Sequence, residues 1–485
     1  MHPHQKPWPV FWTLVIGTFM VLIDATIVSV ANPAIMAGLD TSIGAVMWVT
    51  SAYLLAYAAP LLLTGRLGDR YGPKPIYLTG LAVFTLASLA CGLSQTAGEL
   101  IAARVVQGIG AACMVPQTMA VITRIFPAAQ RGQAMGLLGA VAGISTLIGP
   151  MLGGAIVNTL GWQWIFFVNV PVGLTAFVLA RKLLPEFGQQ PHRLDIPGAL
   201  LSGAGLLLIA LGIQEGERYH WGVIAWQIPV WALIAAGVLL FALFLLWQRG
   251  NKHEPLLPLE LFRDRNFTVG NLSISIVGFT TAGMLLPLIF HFQIVMQLSP
   301  LACALMLAPM ALVLAVLAPF TGKLADRIDP RYMACFGLAC LAGGLLWYAL
   351  WLPDAAQSRW LLLLPSALLG VANACIWAPI SASTMRKLPP ARAGAGSGIF
   401  NTTRQIGSVL GAASIAALVQ AQLARQLPAG QYAAGAFHPG ALDPANLALF
   451  HAGFARAMAH AMLLPAAAAL LGACVVLFFA KNRTA

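Results

Sequence analysis

Long apolar segments alternate with short polar segments along the whole chain. We count fourteen apolar runs of roughly 19 to 26 residues, each long enough to cross a bilayer as a helix. They cover approximately residues 10–35, 44–64, 76–94, 100–122, 133–157, 164–184, 195–213, 227–247, 268–290, 300–321, 332–352, 359–380, 396–420 and 455–479. The pattern predicts an all-α polytopic membrane protein with fourteen transmembrane helices.

The composition supports this prediction and excludes most other classes of protein. The 485 residues are 59% hydrophobic and only 9% charged, and the mean hydropathy is +0.82, whereas soluble domains carry about 25% charged residues. The formal net charge is +12, but the basic residues occur in small groups between apolar runs. We therefore expect a lipid bilayer as the environment and no nucleic acid as a partner.

The basic residues also orient the spans. Of the 27 lysines and arginines, 21 fall in alternate loops if the N-terminus is cytoplasmic, as the positive-inside rule requires. If one span had been missed or added, the basic residues of every later loop would be placed on the outer side. We therefore expect a multi-pass protein of the cytoplasmic (inner) membrane with both termini in the cytoplasm.

A hexapeptide repeat divides the chain into two halves. Gly65–Arg70 follows the second predicted span, and Gly322–Arg327 follows the tenth, with the shared pattern G-[RK]-L-[GA]-D-R. Parallel repeats are a common transporter architecture. The repeat predicts three parts: an N-terminal six-helix bundle (residues 1–193), a two-helix central insert (194–250) and a C-terminal six-helix bundle (251–485).

Asp24 is the one acidic residue deep inside a predicted span, and such residues are candidates for function because they are costly to insert. Burial favours a protonated carboxyl, and a nearby cation favours the charged form, so Asp24 could load and unload a proton. It could instead be a hydrogen-bonded packing residue. Arg104 has a matching depth and is the expected partner of Asp24, although its side chain could also extend to the outer interface.

Two further features mark candidate sites inside the spans. Arg404 lies about eight residues into span thirteen and is a second candidate, although it could reach cytoplasmic water. The fifth span is rich in glycine and has a proline inside it. Tight helix packing is sufficient to explain this composition. The functional interpretation is that the span bends at a contact between moving helices. Its residues are Gly139, Gly143, Gly149, Pro150, Gly153 and Gly154.

Enzymatic motifs are absent from the sequence. We find no G-x-x-x-x-G-K-[ST], H-E-x-x-H or G-x-S-x-G pattern, so ATP hydrolysis, zinc hydrolysis and a serine nucleophile are not supported. The cysteines show no metal-ligand spacing. We expect no enzyme activity, no catalytic residue, no metal and no cofactor. If the protein is a transporter, the proton-motive force would supply the energy for transport.

Several motifs resemble those of the major facilitator superfamily. Gly65–Gly72 resembles its signature loop, Arg104–Gly108 its fourth-span motif, and Gly143–Gly154 its fifth-span antiporter motif. Asp24–Val28 and Gly161–Pro171 resemble the branch of drug:proton antiporters with fourteen spans. The resemblance covers nearly the whole chain.

The resemblance implies alternating access of two six-helix bundles around a central cavity. Asp24 and Arg104 would belong to the proton site, and the glycines and Pro150 to the flexing interface. Asp69 would hold the cytoplasmic side of the N-terminal bundle against a neighbouring helix. Asp326, at the equivalent place in the second half, would act in the same way but more weakly. The remaining residues of these two loops are expected to act with them in the conformational switch: Gly65, Arg70, Gly72 and Arg327. Gln107 lies in the fourth-span motif, and Asn401 begins the segment Asn401–Gly407, which the resemblance also covers. Both are secondary candidates, as is Arg404.

Our leading functional hypothesis is a secondary active exporter of lipophilic small molecules, either monovalent cations or neutral compounds, in exchange for protons. A proton-coupled exporter of one defined metabolite or siderophore is the first alternative. A non-transporting membrane receptor or scaffold is the second. A periplasmic adaptor, which some members of the branch use, is not identifiable in the sequence.

The sequence departs from the usual motifs of the family at four positions. The usual first-span pattern has other residues at Ser29 and Asn32, and the signature loop is usually more basic at Pro73 and Pro75.

Overall fold

The computed structural model describes residues 7–187, 195–216, 219, 221–224, 228–251, 255–325, 328–353, 359–386, 393–426 and 444–480. Nearly all of these residues are helical. The strands within this part of the chain are β1 (Val223–Ile224) and β2 (Ile228–Pro229), which form a short antiparallel hairpin. The prediction of an all-helical polytopic fold is confirmed.

The helices follow the predicted order. In chain order they are α1 (Pro7–Gly38), α2 (Ile43–Ala58), α3 (Leu61–Tyr71), α4 (Pro73–Leu93), α5 (Ala97–Ile125), α6 (Ala128–Thr159), α7 (Trp164–Phe167), α8 (Asn169–Leu183), α9 (Ile196–Gly216), α10 (Val230–Gly250), α11 (Arg265–Phe290), α12 (Pro300–Ala325), α13 (Pro330–Trp351), α14 (Leu363–Met385), α15 (Ala393–Gln426), α16 (Pro444–Ala461) and α17 (Leu463–Val476). A π-helical turn at His291–Val295 continues α11.

Helices occupy each of the fourteen predicted span positions. Among the described residues, 12 helical segments are long and apolar enough to cross a membrane by themselves. The second and fifth positions are not among the 12. At the second position α2 has only 16 residues and ends before Pro60. At the fifth position α6 has 32 residues, but many of its side chains lie outside the described residues. The number of fourteen crossings therefore stays a prediction.

The expected signature loop is wrong as a description of the backbone. Residues Leu61–Tyr71 form α3, and the turn comes only at Gly72, whose φ is +90°. Gly68 allows α3 to approach α5, because a Cβ there would lie 1.8 Å from Oε1 of Gln117. The glycines of this motif therefore permit close helix packing, and the proline that follows Gly72 begins the next helix.

Two hydrophobic cores correspond to the two bundles. One lies among α1 to α8, and its largest buried side chains include Phe11, Tyr77 and Phe84. The other lies among α11 to α17, with Val30 of α1 packed against it, and includes Leu288 and Tyr348. This arrangement agrees with the predicted repeat, while the boundaries of the three parts stay predictions.

A third core joins the bundles at their outer ends, on the side expected to face away from the cytoplasm. It combines Ile35 and Val46 of the first half with Phe290, Val419 and Phe454 of the second half, all buried. Nε2 of Gln293 also donates to the carbonyl oxygen of Val30 across this contact, at 2.8 Å. The outer halves of the bundles are therefore packed together in this conformation.

The two helices of the central insert pack beside the contact between the bundles. Leu206 and Ala210 of α9 are buried against Leu55 of α2 and Val409 of α15, which belong to different bundles. Asp195 joins the start of α9 to the end of α10, because it accepts hydrogen bonds from Nε1 of Trp247 at 2.8 Å and Nε2 of Gln248 at 2.7 Å.

Candidate functional site

Asp24 lies in the interior of the first bundle. It belongs to α1, whose 32 residues are almost all apolar, and its side chain has 0% exposure. An isolated charge in such a place would be very costly, so its partners determine its role. Three side chains donate hydrogen bonds to the carboxylate, and each comes from a residue distant in the sequence.

Arg104 of α5 is the charged partner. Its Nη1 lies 2.5 Å from Oδ2 of Asp24, and the arginine side chain is 1% exposed. Nε of Arg104 donates to the carbonyl oxygen of Val49 at 3.3 Å, and Cζ lies 4.0 Å from the centre of the Tyr53 ring. The alternative that Arg104 extends to the outer interface is therefore wrong, because its guanidinium is held inside the bundle by the carboxylate, a carbonyl and an aromatic ring.

Gln107 and Asn169 complete the cluster. Nε2 of Gln107 donates to Oδ1 of Asp24 at 2.9 Å, and its Oε1 accepts from Nη1 of Arg104 at 2.6 Å. Nδ2 of Asn169, the first residue of α8, donates to Oδ1 of Asp24 and to Oγ of Ser88, both at 3.0 Å. We call Asp24, Arg104, Gln107 and Asn169 the buried polar cluster.

The buried polar cluster holds one negative and one positive charge, so its net charge is zero. Removing either charge alone would leave the other uncompensated in a dry interior, which costs about 3–5 kcal/mol in comparable buried pairs. Protonation of the carboxylate would have the same effect as removing its charge. The arrangement can therefore link a single proton to the position of Arg104.

The glycines of the Gly143–Gly154 motif form contacts on two sides of α6. A Cβ at Gly149 would lie 2.0 Å from Oγ1 of Thr26 in α1, and one at Gly153 would lie 2.7 Å from Cγ1 of Ile27. Gly154 faces the other bundle, where its Cβ would lie 2.6 Å from the carbonyl oxygen of Pro300. Pro150 lies inside the helix and is buried, whereas the surroundings of Gly143 lie outside the described residues.

The expected switch residues are only partly described. Gly65 and Arg70 lie in α3, and Arg70 is exposed next to Tyr71, with Cζ 5.3 Å from the ring centre. Gly72 forms the turn into α4. The Asp69 side chain lies outside the described residues, as do Asp326 and Arg327 of the repeat.

Arg404 and Asn401 lie in α15, away from the buried polar cluster. Arg404 is half-buried, and its Cζ lies 5.9 Å from the centre of the Trp377 ring. Asn401 is also half-buried and has further contacts. The structure therefore brings together Asp24, Arg104 and Gln107 and leaves these two candidates separate.

The sequence interpretation missed Asn169, Ser88 and Tyr53 as members or neighbours of the site. Asn169 lies inside the Gly161–Pro171 motif, so that motif was the available signal. Ser88 and Tyr53 carry no such signal, because a serine or tyrosine within a span is common. As for metal, the described part of the chain contains no group of three or more His, Cys, Asp or Glu that could hold an ion.

Comparisons with known proteins agree with this architecture. The family model described as Major Facilitator Superfamily matches residues 14–412. A solved structure described as an auto-inhibited POT family peptide transporter superposes with a TM-score of 0.67 at 15% identity, covering 97% of this chain and 98% of that chain. At this identity the likeness shows the fold.

Two curated relatives align over 98% of this chain. An uncharacterised MFS-type transporter of Mycobacterium tuberculosis is 48% identical, with 81% of its own length covered. The tetracenomycin C resistance and export protein of Streptomyces glaucescens is 30% identical, with 92% of its length covered. Together with the match to the family model and the two-bundle fold, these similarities show that the chain belongs to the major facilitator superfamily of membrane transporters.

Proposed function

We propose that the protein exports lipophilic small molecules in exchange for protons by alternating access. The observation that carries this proposal is the fully buried Asp24, held by one cation and two amides in the interior of the first bundle. Buried ionisable residues within spans are typical of proton relays. No cofactor is needed, since the proton-motive force would supply the energy.

The proposed coupling begins when Asp24 gains a proton. The neutral carboxyl would hold Arg104 less strongly, and the arginine would then be a buried cation without a counterion. Movement of the helices or entry of water would relieve this state. Protonation would therefore favour one conformation of the first bundle, and loss of the proton would favour the other.

The contact between α1 and α6 provides a route from this event to the second bundle. Thr26 and Ile27 follow Asp24 in α1 and lie against Gly149 and Gly153 of α6. One residue further, Gly154 meets Pro300 of α12 in the other bundle. A shift of α1 caused by protonation would therefore reach the contact between the bundles through α6, where Pro150 removes a backbone hydrogen bond.

At the opposite end of the bundles, we propose that Asp69 and Arg70 of α3 act in the cytoplasmic switch, with Gly72 as the turn. Asp326 and Arg327 would act at the equivalent place in the second half. We also propose the inner membrane as the location, with both termini cytoplasmic. The central insert would be accessory to transport, and no periplasmic adaptor is assigned.

Export of small molecules is supported by the relatives, whereas one defined substrate is the main alternative. The Streptomyces glaucescens relative is named for resistance to and export of tetracenomycin C. A screen in which only one metabolite or siderophore class is transported would favour a dedicated exporter. A receptor or scaffold would transport nothing. The buried carboxylate of Asp24 would then have no role in proton transfer.

The test is uptake of ethidium and of tetracenomycin C into inside-out vesicles with an imposed acidic interior. We expect the wild type to accumulate at least one of them, and Asp24→Asn to lose gradient-driven accumulation while the compound still binds. Asp40→Asn is the matched control, because it makes the same change at an exposed position at the end of the same helix. Equal accumulation by Asp24→Asn and wild type would contradict proton coupling at Asp24.

A further inference from the structure

Arg404 is a cation inside a span for which the described residues provide no counterion. It lies 11 residues after the first residue of α15, which corresponds to roughly 16 Å along the helix axis. No carboxylate of the described chain lies within ion-pair distance of it. Because an unpaired charge at such depth is costly, a deep arginine of this kind indicates a functional site.

Arg404 lies in a helix that packs against the opposite bundle. Its guanidinium lies over the ring of Trp377 in α14 of the same bundle, with Cζ 5.9 Å from the ring centre. Further along α15, Val409 is buried against Leu55 of α2, the helix that also carries Tyr57. Arg404 therefore lies near the contact between the bundles. The Trp377 ring stabilises the cation in part through its π face, but it supplies no negative charge.

Trp377 and Tyr57 also have free binding capacity. The Trp377 side chain is 37% exposed, although it lies in the middle of α14. Its Nε1 donates a long hydrogen bond of 3.4 Å to Oδ1 of Asn373, and the guanidinium of Arg404 lies over one face of the partly exposed ring. The Tyr57 hydroxyl has no hydrogen-bond partner among the described residues. The surroundings of Arg404 thus provide a cation, an aromatic face and a hydroxyl.

The balance of charge between the bundles sets the preferred ligand. Three charged side chains are described deep within the spans, and two of them, Asp24 and Arg104, neutralise each other. The third is Arg404, so the described interior carries one net positive charge. A cationic solute would meet this charge without a compensating carboxylate, whereas an anionic solute would complete the missing ion pair.

We propose that Arg404, Trp377 and Tyr57 form a binding site for planar aromatic solutes that carry an acidic group. The guanidinium binds the carboxylate or phenolate in a charge-assisted contact, and the Trp377 ring stacks on the aromatic system. As a substrate site, this assignment rests on the proposed export function. It replaces the monovalent cations or neutral compounds expected from the sequence with organic anions.

The site is also connected to the buried polar cluster through two stacked tyrosines. The rings of Tyr57 and Tyr53 lie 6.3 Å apart with an interplanar angle of 20°. Tyr53 in turn lies under Arg104. A movement of Arg104 on protonation would therefore be passed through Tyr53 to Tyr57, in the helix that packs against α15.

Binding of two dyes with the same three-ring skeleton tests the proposal. Fluorescein is anionic and tetramethylrhodamine methyl ester is cationic; each is titrated against the purified full-length protein in nanodiscs. We expect fluorescein to bind more tightly. Arg404→Gln should weaken fluorescein binding about tenfold or more, the effect of losing one charge-assisted contact, without weakening binding of the rhodamine. Arg404→Lys should retain part of the affinity for fluorescein.

Two controls separate this site from general effects. Arg456→Gln makes the same change at an exposed arginine near the other end of the second bundle and should leave both dyes unaffected. Trp377→Leu should weaken both dyes, because stacking does not depend on charge. A monodisperse size-exclusion profile is required of every variant, and Arg404→Lys replaces Arg404→Gln if the latter does not fold.

The outcomes distinguish this inference from the proposed function. Absence of fluorescein binding to wild type, or equal binding to wild type and the Arg404 variant, would overturn the anion site. Proton-driven uptake of ethidium or tetracenomycin C could still hold in that case. Conversely, Arg404-dependent binding of fluorescein without proton-driven uptake of any compound would support the anion site and contradict the exporter.

Discussion

Asn169 and Asp24 are joined by a hydrogen bond of 3.0 Å although 145 residues separate them in the sequence. The same amide nitrogen also lies 3.0 Å from Oγ of Ser88, which in turn donates to the carbonyl oxygen of Phe166 at 2.9 Å. Asn169 is thus fixed on one side by α4 and α7 and presents its amide to the carboxylate on the other side. It acts as a positioning residue for the proposed proton site.

Asn169→Ala should weaken gradient-driven transport. The substitution removes one of the three hydrogen bonds that hold the carboxylate of Asp24, and a hydrogen bond to a charged group is worth about 1.5–3 kcal/mol. We therefore expect gradient-driven uptake to fall by about tenfold, with binding of the transported compound retained. Ser88→Ala is the control: it removes only the hydroxyl behind the amide and should cause a smaller loss. Uptake by Asn169→Ala equal to that of the wild type would contradict the positioning role.

Gly154→Ala should disturb the contact between the bundles more than it disturbs folding. The added Cβ would lie 2.6 Å from the carbonyl oxygen of Pro300, a backbone atom, so α6 and α12 must separate. We expect a loss of transport of about tenfold with substrate binding retained, and greater accessibility of cysteines introduced at the outer ends of the bundles.

Gly98→Ala is the matched control for this substitution, because no atom lies within 4 Å of a Cβ at Gly98. It should transport like the wild type. Equal transport by the Gly154 and Gly98 variants would show that the contact between α6 and α12 does not have to be this close.

Asp195 should make the folding stability of the central insert depend on pH, with lower stability at acidic pH. Burial alone would raise the pKa of Asp195, but hydrogen bonds from Gln248, the Gly198 amide and Trp247 outweigh it, and the pKa lies below its usual value. A carboxylate with a lowered pKa stabilises the folded state above the unfolded pKa of about 4, and this contribution is lost as the pH falls through the folded value.

We therefore expect Asp195→Ala to lower the thermal unfolding temperature by several degrees at pH 7, with the difference from wild type shrinking below about pH 4. Transport should change little if the insert is accessory. Glu186→Gln is the control, since Glu186 is highly exposed and its contact with Lys74 spans 3.8 Å, and such pairs contribute little. The measurement is intrinsic fluorescence during heating over a series of pH values.

Exchange of an organic anion for a proton should respond strongly to membrane potential. One proton moving in and one monoanion moving out transfer two charges, whereas a monovalent cation exchanged for a proton transfers none. Each charge is worth about 2.3 kcal/mol per 100 mV. With no pH gradient, a potential alone should therefore drive fluorescein transport above the level in protein-free vesicles, whereas the distribution of the rhodamine ester should equal its passive distribution in protein-free vesicles. Equal protein-dependent responses of the two dyes would contradict an exchange of one proton for one anion.

Much of the membrane architecture follows from the sequence because hydropathy and the positions of basic residues are local properties. An apolar run of about 20 residues has few stable conformations in lipid other than a helix. The same reasoning placed Asp24 and Arg104 at a similar depth, since depth depends only on the distance from the helix end. Their contact in the structure follows that estimate.

The sequence was less informative where the outcome depends on the rotation of helices and on packing. The Gly65–Gly72 motif was interpreted as a loop because it follows the second apolar run and resembles the signature loop of the family, but its residues continue as a helix, and Gly68 is needed where α3 approaches Gln117. Asn169, Ser88 and Tyr53 could not be assigned to Asp24, because short polar and aromatic side chains within spans usually satisfy themselves locally or pack.

The sequence by itself determined the helical membrane fold and the candidate charges, because composition and spacing are sufficient for these, and its motifs indicated the family by resemblance. Only the tertiary structure decided that the charge of Asp24 is neutralised within its own bundle, while Arg404 lies near the contact between the bundles, beside the ring of Trp377. The physical reason is that a charge in lipid is governed by its nearest partners. Those partners come from helices whose relative rotation is set by the packing of the whole molecule.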